Sequence, residues 1–414
     1  MITRFRVQNY KALRDVTLDL TPVHVLIGPN DSGKTSLLEA IAALCRSVDQ
    51  PVNEVFRGEI AERGLCFQRK YGYVTLESQW DKNVQGIENQ EFNGYRSIFN
   101  LNCDHIEDRP QAAKEVLLNS KGDALDIHPH LLSTALLDRY GSQGRDSHNL
   151  KHRGFPVDFL HRIADQMSGV QFYRFSPEWL KVAVTLSPHR QGRMEFNGFG
   201  LPQLLDEIRN DRDRYTQLEK RFTELFPYVA AIELPVREAY EASAVDFRRV
   251  KLAEYTGGKG IEFRLANGGQ KLPAENASDG MLFALAYIAL LHLPKPPRVL
   301  LIEEPENGIH PGRLKEIIRI IKQLVSEQNH TQVVMTTHSP YVLHEFSPEE
   351  VTVCVRESNG EVKTRRLSES KSVQEQIGFF SLGEIWTMDG DERLLQPIDE
   401  SVEAVEALEV QTSP

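Results

Sequence analysis

The chain has 414 residues, a hydrophobic fraction of 40%, a charged fraction of 26% and a formal net charge of −11. This composition is typical of a soluble globular protein of two or three structural units, and the negative charge argues against a protein that coats nucleic acid through bulk charge. No apolar run is long enough to span a membrane and the N-terminus has no signal-peptide pattern, so we expect a cytoplasmic protein that does not bind membranes.

The first part of the chain is predicted to contain two strands, a glycine loop and a helix. Residues 4–10 and 13–20 are strand-like, and the second segment alternates polar and apolar side chains, as a half-buried strand does. A short apolar run, His24–Ile27, enters a glycine-containing loop. The segment Lys34–Cys45 after the loop has apolar residues at helical spacing, which predicts an amphipathic helix.

The middle of the chain is predicted to change from strands to helices. Strand-like segments occur at 71–80 and 91–102. Residues 106–230 are predicted to form a mainly helical insertion, whose best-marked helix covers 201–226 and ends at Pro227.

The last part of the chain alternates buried strands with helices. Strand-like segments from residue 231 are followed by a hydrophobic helix over Met281–Leu291 and a buried strand over Val299–Ile302. A helix after Pro311 precedes another buried strand, Gln332–Thr336. Strands that alternate with helices predict an α/β fold with a largely parallel sheet. Residues 386–414 are predicted to be an acidic, partly disordered tail.

A phosphate-binding loop is the clearest motif. Residues 28–35, Gly-Pro-Asn-Asp-Ser-Gly-Lys-Thr, match G-x-x-x-x-G-K-[ST] between a strand and a helix. Backbone N–H groups of such a loop converge on phosphates, Lys34 would reach the β- and γ-phosphates of ATP, and Thr35 would bind Mg²⁺ through its hydroxyl. The residues expected to bind the nucleotide here are Gly28, Asn30, Asp31, Ser32, Gly33, Lys34, Thr35 and Ser36.

Two acidic residues end the buried strand at 299–302. Adjacent carboxylates at the end of such a strand require a cation or a proton. Glu303 is therefore the candidate for holding Mg²⁺, together with Thr35, and Glu304 is the candidate for polarising the attacking water.

Four segments together resemble ABC-type ATPases of the SMC, RecF and OLD-like branch, which are not fused to transporters. Residues 303–311, Glu-Glu-Pro-Glu-Asn-Gly-Ile-His-Pro, resemble the run from the Walker B motif into the D-loop. Residues 9–13 resemble the turn between the first two strands of that branch, 276–280 resemble its shortened signature motif, and 336–340 resemble its switch-histidine motif.

The resemblance covers about 1–50 and 220–385, and it implies an ABC-type ATPase head with a mixed or parallel central sheet and an antiparallel β lobe. The implied segments are 1–105 (N-terminal half of the head), 106–230 (helical insertion), 231–385 (C-terminal half of the head) and 386–414 (acidic tail).

The resemblance also implies a mechanism that needs two copies of the chain. Two heads would enclose two ATP molecules, with Ser278 and Gly280 of one copy capping the γ-phosphate held by Lys34 of the other. His338 would contact the same γ-phosphate. The resemblance thus implies Lys34, Glu304 and His338 as catalytic residues, ATP and Mg²⁺ as cofactors, and a homodimer or higher homo-oligomer.

Two departures from the family pattern stand out. Glu303 occupies a position where many ABC proteins have aspartate, so contact with Mg²⁺ could run through water. The glutamine of the Q-loop has no distinctive context, and both Gln68 and Gln79 are candidates. The segment after the switch motif is short for the TOPRIM nuclease domain that some relatives carry, so we expect an ATPase without that domain.

The expected function is ATP-driven switching of a dimer or oligomer that controls a separately encoded effector, in the setting of bacterial antiphage defence. Two alternatives remain open: a DNA-repair or DNA-sensing ATPase of the RecF type, and a scaffold that binds ATP with negligible hydrolysis. Basic clusters at 151–153, 189–193 and 248–251 leave DNA binding open. Four histidines of the middle region are also weighed as a metal site, although their spacing fits no known motif: His128, His130, His148 and His152.

Overall fold

The computed structural model describes residues 1–50, 52–56, 72–85, 91–100, 111–128, 132, 156–186, 192–242, 250–252, 257–328 and 331–398. Its strands are β1 (Ile2–Tyr10), β2 (Leu13–Asp19), β3 (Val23–Ile27), β4 (Tyr73–Gln85), β5 (Glu91–Asn100), β6 (Gln111–Leu118), β7 (Ala124–Ile127), β8 (Val170–Tyr173), β9 (Val229–Glu233), β10 (Val236–Arg237), β11 (Tyr240–Ala242), β12 (Val250–Leu252), β13 (Gly258–Lys259), β14 (Glu262–Leu265), β15 (Lys271–Pro273), β16 (Val299–Glu303), β17 (Gln332–Thr336), β18 (Val351–Arg356) and β19 (Val362–Arg366). Its α-helices are α1 (Lys34–Ser47), α2 (Val52–Val55), α3 (Val157–Ala164), α4 (Pro177–Leu180), α5 (Leu201–Arg209), α6 (Arg212–Leu225), α7 (Asp279–Leu291), α8 (Pro311–Gln328), α9 (Pro340–Leu343), α10 (Lys371–Gln376) and α11 (Leu382–Leu394).

A central six-stranded sheet has the order β19-β18-β3-β17-β16-β8. All neighbours are parallel except β18 and β19, which confirms the predicted α/β fold with a mixed, mainly parallel sheet. Leu26 of β3 and Glu303 of β16 both pair with Thr336 of β17. The carboxyl ends of these three strands therefore lie side by side, and open α/β sheets bind ligands at that edge.

A second, antiparallel sheet has the order β2-β1-β4-β5-β6-β7. It confirms the predicted antiparallel lobe, but its last two strands lie where the sequence predicted helices from residue 106. β6 is rich in residues that favour helices, with the sequence Gln-Ala-Ala-Lys-Glu-Val-Leu-Leu. It pairs with β5 from Gly94 to Asn100, and this pairing overrides the local propensity.

Helix α7 is buried along nearly its whole length. Every side chain from Met281 to Leu291 is buried, as expected for a helix that is apolar on all faces. Helices α4, α5, α6 and α8 pack around it. The predicted helix over 201–226 is in fact α5 and α6, separated because the Asp211 carboxylate accepts a hydrogen bond from the Arg214 backbone N–H (3.2 Å) and so caps the second helix.

The C-terminal end of the described chain is more ordered than the predicted acidic tail. Helix α11 extends into that tail as far as Leu394, with a break at Gly390, where φ is 72°. The Trp386 indole N–H donates to the Asp391 carboxylate at 2.7 Å, which holds the two sides of the break together. Residues 399–414 lie outside the described residues, and the division into four segments stays a prediction.

The half-buried Asp49 carboxylate links the segment after helix α1 to the residue before strand β8 and should make stability depend on pH. Asp49 accepts a hydrogen bond from the Gly169 backbone N–H at 2.8 Å, and burial raises its pKa from 3.8 to about 6. A raised carboxyl pKa means that the folded state favours the protonated form, so stability falls as pH rises from about 4 to above 6. Asp49→Asn keeps a hydrogen-bond acceptor without the charge. The free energy of unfolding of this variant, minus that of wild type, should therefore increase by on the order of 1 kcal/mol from pH 5 to pH 7.5.

Urea unfolding of both proteins at the two pH values measures this difference. Glu224→Gln serves as the control because the Glu224 side chain is 64% exposed. An Asp49→Asn effect that is the same at both pH values would show that the carboxyl is not perturbed.

Candidate functional site

The loop after β3 is shaped by glycines that other residues cannot replace. Gly28 has φ of 135°, and a Cβ there would lie 2.0 Å from the Cys354 carbonyl oxygen. Gly33 has φ of 88°, and a Cβ there would lie 2.8 Å from a Val362 methyl group. Both positions need glycine for backbone conformation and for space. The loop therefore curls tightly against β18 and β19 before α1 begins, and the N-terminus of α1 faces the enclosed space.

The Lys34 ammonium lies inside this loop. It donates to the carbonyl oxygens of Gly28 (2.9 Å) and Pro29 (2.7 Å) and to the Ser32 hydroxyl (3.3 Å). Burial lowers its pKa, so the protein holds a partly desolvated cation at this point. A loop of backbone N–H groups around a buried ammonium is suited to binding a phosphate anion.

Strand β16 brings Glu303 to the start of α1. The Thr35 hydroxyl donates to a Glu303 carboxylate oxygen, and the Glu303 side chain is only 6% exposed. A hydroxyl and a carboxylate are hard oxygen ligands of the kind that Mg²⁺ prefers, and a buried carboxylate is stabilised by a cation. These two residues therefore fit the predicted Mg²⁺ site.

Glu304 has an unusual backbone conformation, with φ of 50°. Its backbone N–H donates to the Thr336 carbonyl oxygen at 3.1 Å. Its carboxylate accepts a hydrogen bond from the Asn307 amide at 2.6 Å and lies 3.4 Å from the His338 Nε2 atom. Left-handed backbone at a non-glycine residue is strained, and such strain often occurs at functional sites.

His338 is held through its backbone by an acidic residue of the neighbouring strand end. The Glu306 carboxylate accepts hydrogen bonds from the His338 backbone N–H (2.7 Å) and from the Thr337 hydroxyl (2.8 Å). Burial, followed by repulsion from Lys34, lowers the pKa of the His338 imidazole. A neutral imidazole beside Glu304 can donate one hydrogen bond and accept another.

One cavity of about 210 Å³ collects these residues. It contains every predicted residue of the phosphate loop except Gly28, whose carbonyl oxygen contacts Lys34, and it contains both acidic residues and the switch histidine. Sequence analysis assigned no role to four further lining residues: Ala12, Arg174, Thr336 and Arg356. Ala12 belongs to the β1–β2 turn that carried part of the resemblance, but nothing in the local sequence marks Arg174 or Arg356.

The signature residues lie apart from this cavity. Ser278 and Gly280 are not among its lining residues, and the exposed Ser278 lies at the N-terminus of α7 without capping it through its hydroxyl. The segment after Glu304 packs over the same helix end, where a Cβ on Gly308 would lie 2.7 Å from the Phe283 ring. The signature and the phosphate loop are therefore two separate surfaces of one chain.

Of the two Q-loop candidates, Gln79 is in the described part of the chain, and it does not line the cavity. Gln79 is in β4, pairs with Arg4 of β1 and lines a different cavity, together with Arg4 and Glu77. Gln68 lies outside the described residues. Arg174 lies beside the acidic pair.

Several other candidate features cannot be located in full. The basic clusters at 151–153, 189–193 and 248–251 fall wholly or partly outside the described residues, and three of the four histidines lie outside them. Within the part of the chain that the structure describes, no group of three or more His, Cys, Asp or Glu residues could hold a metal ion. None of the described helices is both long and apolar enough to cross a membrane.

Two family models match separate parts of the chain. Residues 1–117 match an AAA ATPase domain, and residues 146–344 match an AAA domain described as putative AbiEii toxin, Type IV TA system. A curated relative, the OLD nuclease of Thermus scotoductus, is 23% identical over 361 residues, which is 82% of this chain and 59% of the relative. The chain thus spans 59% of the length of that relative.

Solved structures of SMC heads are similar over nearly the whole chain. An SMC head bound to the C-winged helix domain of ScpA has a TM-score of 0.44 and 14% identity, and the match covers 90% of this chain and 99% of that one. The SMC head domain from Thermotoga maritima has a TM-score of 0.40 and 14% identity, with 88% and 98% covered.

Proposed function

We propose that the chain is an ATPase of the SMC, RecF and OLD-like branch that binds MgATP between two copies and hydrolyses it, as the two AAA family models and the OLD nuclease relative support. One observation carries the proposal: Lys34, Thr35, Glu303, Glu304 and His338 meet in one cavity at the carboxyl ends of β3, β16 and β17. Phosphoryl transfer needs phosphate binding, metal ligands and a base at one place, and this cavity combines all three.

Each residue has a distinct task in this reaction. Lys34 and the N-terminus of α1 bind the phosphates, and Thr35 with Glu303 would hold Mg²⁺, which neutralises phosphate charge when bound. Water attacks the γ-phosphorus, the bond to the leaving ADP oxygen breaks, and Glu304 accepts the proton of the water. Asn307 and His338 contact the Glu304 carboxylate and orient it.

Two copies of the chain would complete the site. The exposed Ser278 and the neighbouring Gly280 lie outside their own chain's cavity, which supports a partner's phosphates as their target. ATP binding would close the dimer and hydrolysis would open it. We propose that this cycle controls a separately encoded effector in the cytoplasm, as part of a bacterial antiphage response.

Steady-state ATP hydrolysis, with and without duplex DNA at two salt concentrations, tests this function. Turnover that is indifferent to DNA, with ATP-dependent dimerisation in light scattering, is the expected result. Strong stimulation by DNA that fades with salt would favour a DNA-sensing ATPase of the RecF type. Negligible turnover with ATP-dependent assembly would favour a scaffold.

Glu306 should affect this reaction through its hydrogen bonds to the switch segment. Glu306→Ala removes the acceptor for both Thr337 and His338, and we expect about a tenfold loss of turnover because the histidine is no longer held against Glu304. Glu306→Gln keeps a carbonyl oxygen that can accept both bonds, and should retain most of the activity. Burial raises the pKa of Glu306, so the folded state favours the neutral carboxyl group over the carboxylate.

Turnover and thermal unfolding of both variants check this expectation. A glutamine variant as impaired as the alanine variant would mean that the negative charge of Glu306 matters and that its acceptor role is secondary.

A further inference from the structure

Arg174 is placed beside the acidic pair by sheet pairing. Tyr173, the last residue of β8, pairs in parallel with Ile302 of β16, so the next residues along the two chains, Arg174 and Glu303, are neighbours. The Arg174 backbone N–H donates to the Phe196 carbonyl oxygen at 2.8 Å. The backbone of Arg174 is thus fixed from both sides, while its side chain extends into the cavity.

The Arg174 guanidinium contacts both carboxylates only loosely. Its Nη1 atom is 3.7 Å from a Glu303 oxygen and its Nη2 atom is 3.9 Å from a Glu304 oxygen. Its side chain is 55% exposed. Half-exposed ion pairs of this length contribute little to stability, so structural support alone does not explain an arginine here.

The charges that line the cavity indicate what the guanidinium does when nucleotide is bound. Lys34 lies within the loop, and Arg356 also lines the cavity, where its guanidinium is 3.6 Å from the Asp31 carboxylate. Of these three cations, Arg174 is the one whose described contacts include ion pairs with both Glu303 and Glu304. If Glu303 held a divalent cation, the guanidinium would lose a partner, and a γ-phosphate bound in this cavity would offer it a new anion. The planar guanidinium can bind two phosphate oxygens at once.

We propose that Arg174 acts within its own chain as an arginine that binds the γ-phosphate of ATP, pairing with Glu303 and Glu304 when no nucleotide is bound. This inference rests on the proposed function. In the transition state, Arg174 stabilises negative charge on the γ-phosphoryl oxygens while water attacks and ADP leaves. The proton of the water goes to Glu304, and Arg174 keeps its own protons throughout. Since ADP has no γ-phosphate, Arg174 also distinguishes ATP from ADP.

The test compares Arg174→Ala and Arg174→Lys with Arg264→Ala. Arg264 is a matched control because it is 47% exposed and lies 3.3 Å from Glu233, outside the cavity. Dissociation constants for ATP and ADP are measured in a Glu304→Gln background, so that turnover does not consume ATP. Arg174→Ala should weaken ATP binding about tenfold and leave ADP binding unchanged within about twofold. In the Glu304 wild-type background it should lower kcat about 100-fold, with Arg174→Lys in between.

The outcomes separate this inference from the proposed function. If the parent protein binds ATP and the ratio of ATP to ADP affinity is the same with and without Arg174, the inference is overturned while the nucleotide site stands. Equal losses for ATP and ADP, with a lower melting temperature, would assign Arg174 a structural role and also overturn it. If the parent protein binds no ATP, the proposed function itself fails.

Discussion

Glu304→Gln is expected to lower ATP turnover by about 100- to 1,000-fold, because a general base contributes on this order to catalysis. Glutamine has nearly the same shape as glutamate, and its carbonyl oxygen can still accept the hydrogen bond from Asn307. It cannot accept a proton from water. ATP affinity should stay within about threefold of wild type, since Lys34 and the loop that we propose to bind the phosphates are unchanged.

Single-turnover hydrolysis and equilibrium ATP binding measure these two effects separately. Glu303→Gln is the informative comparison, because Glu303 contacts Thr35 and not Asn307, and its loss should raise the Mg²⁺ concentration needed for activity. The Glu304→Gln protein with ATP should also remain a dimer in light scattering for longer than wild type. Wild-type turnover in this variant would show that Glu304 is not the base.

The parts of the site that sequence predicted are those whose signal is local. The phosphate loop lies between a strand and a helix, and its glycines are required within the loop itself, as the close approach of Gly28 to Cys354 shows. Glu303 and Glu304 directly follow an apolar strand. In both cases the residue types and their neighbours in sequence are enough to predict the chemical role. Parallel pairing at the sheet edge then brings the two segments together.

The parts that sequence missed depend on pairing between distant segments. Arg174 meets Glu303 only because β8 joins the sheet next to β16, and its local sequence, Phe-Tyr-Arg-Phe, carries no recognisable motif. Glu306 lies inside a recognised segment, but its role depends on hydrogen bonds to residues after β17. Strands β6 and β7 were missed for the same reason, since cross-strand contacts decide the conformation of a helix-favouring sequence.

Lys34→Ala is expected to abolish ATP binding at accessible concentrations, with an affinity at least about 1,000-fold below wild type, because the buried cation that we propose to contact two phosphates is lost. The variant should still fold. Burial lowers the pKa of Lys34, which means that the folded state disfavours the charged ammonium, and removing it takes away this cost. The melting temperature without nucleotide should therefore be equal to or above that of wild type.

Titration calorimetry with MgATP and thermal unfolding measure the two effects on Lys34→Ala, with Lys220→Ala as a control whose side chain is 75% exposed on α6. Loss of binding together with retained stability would separate a missing phosphate contact from a collapsed loop. Binding within about threefold of wild type would contradict the assignment, because a loop whose central cation is dispensable would have to hold the phosphates through backbone N–H groups alone.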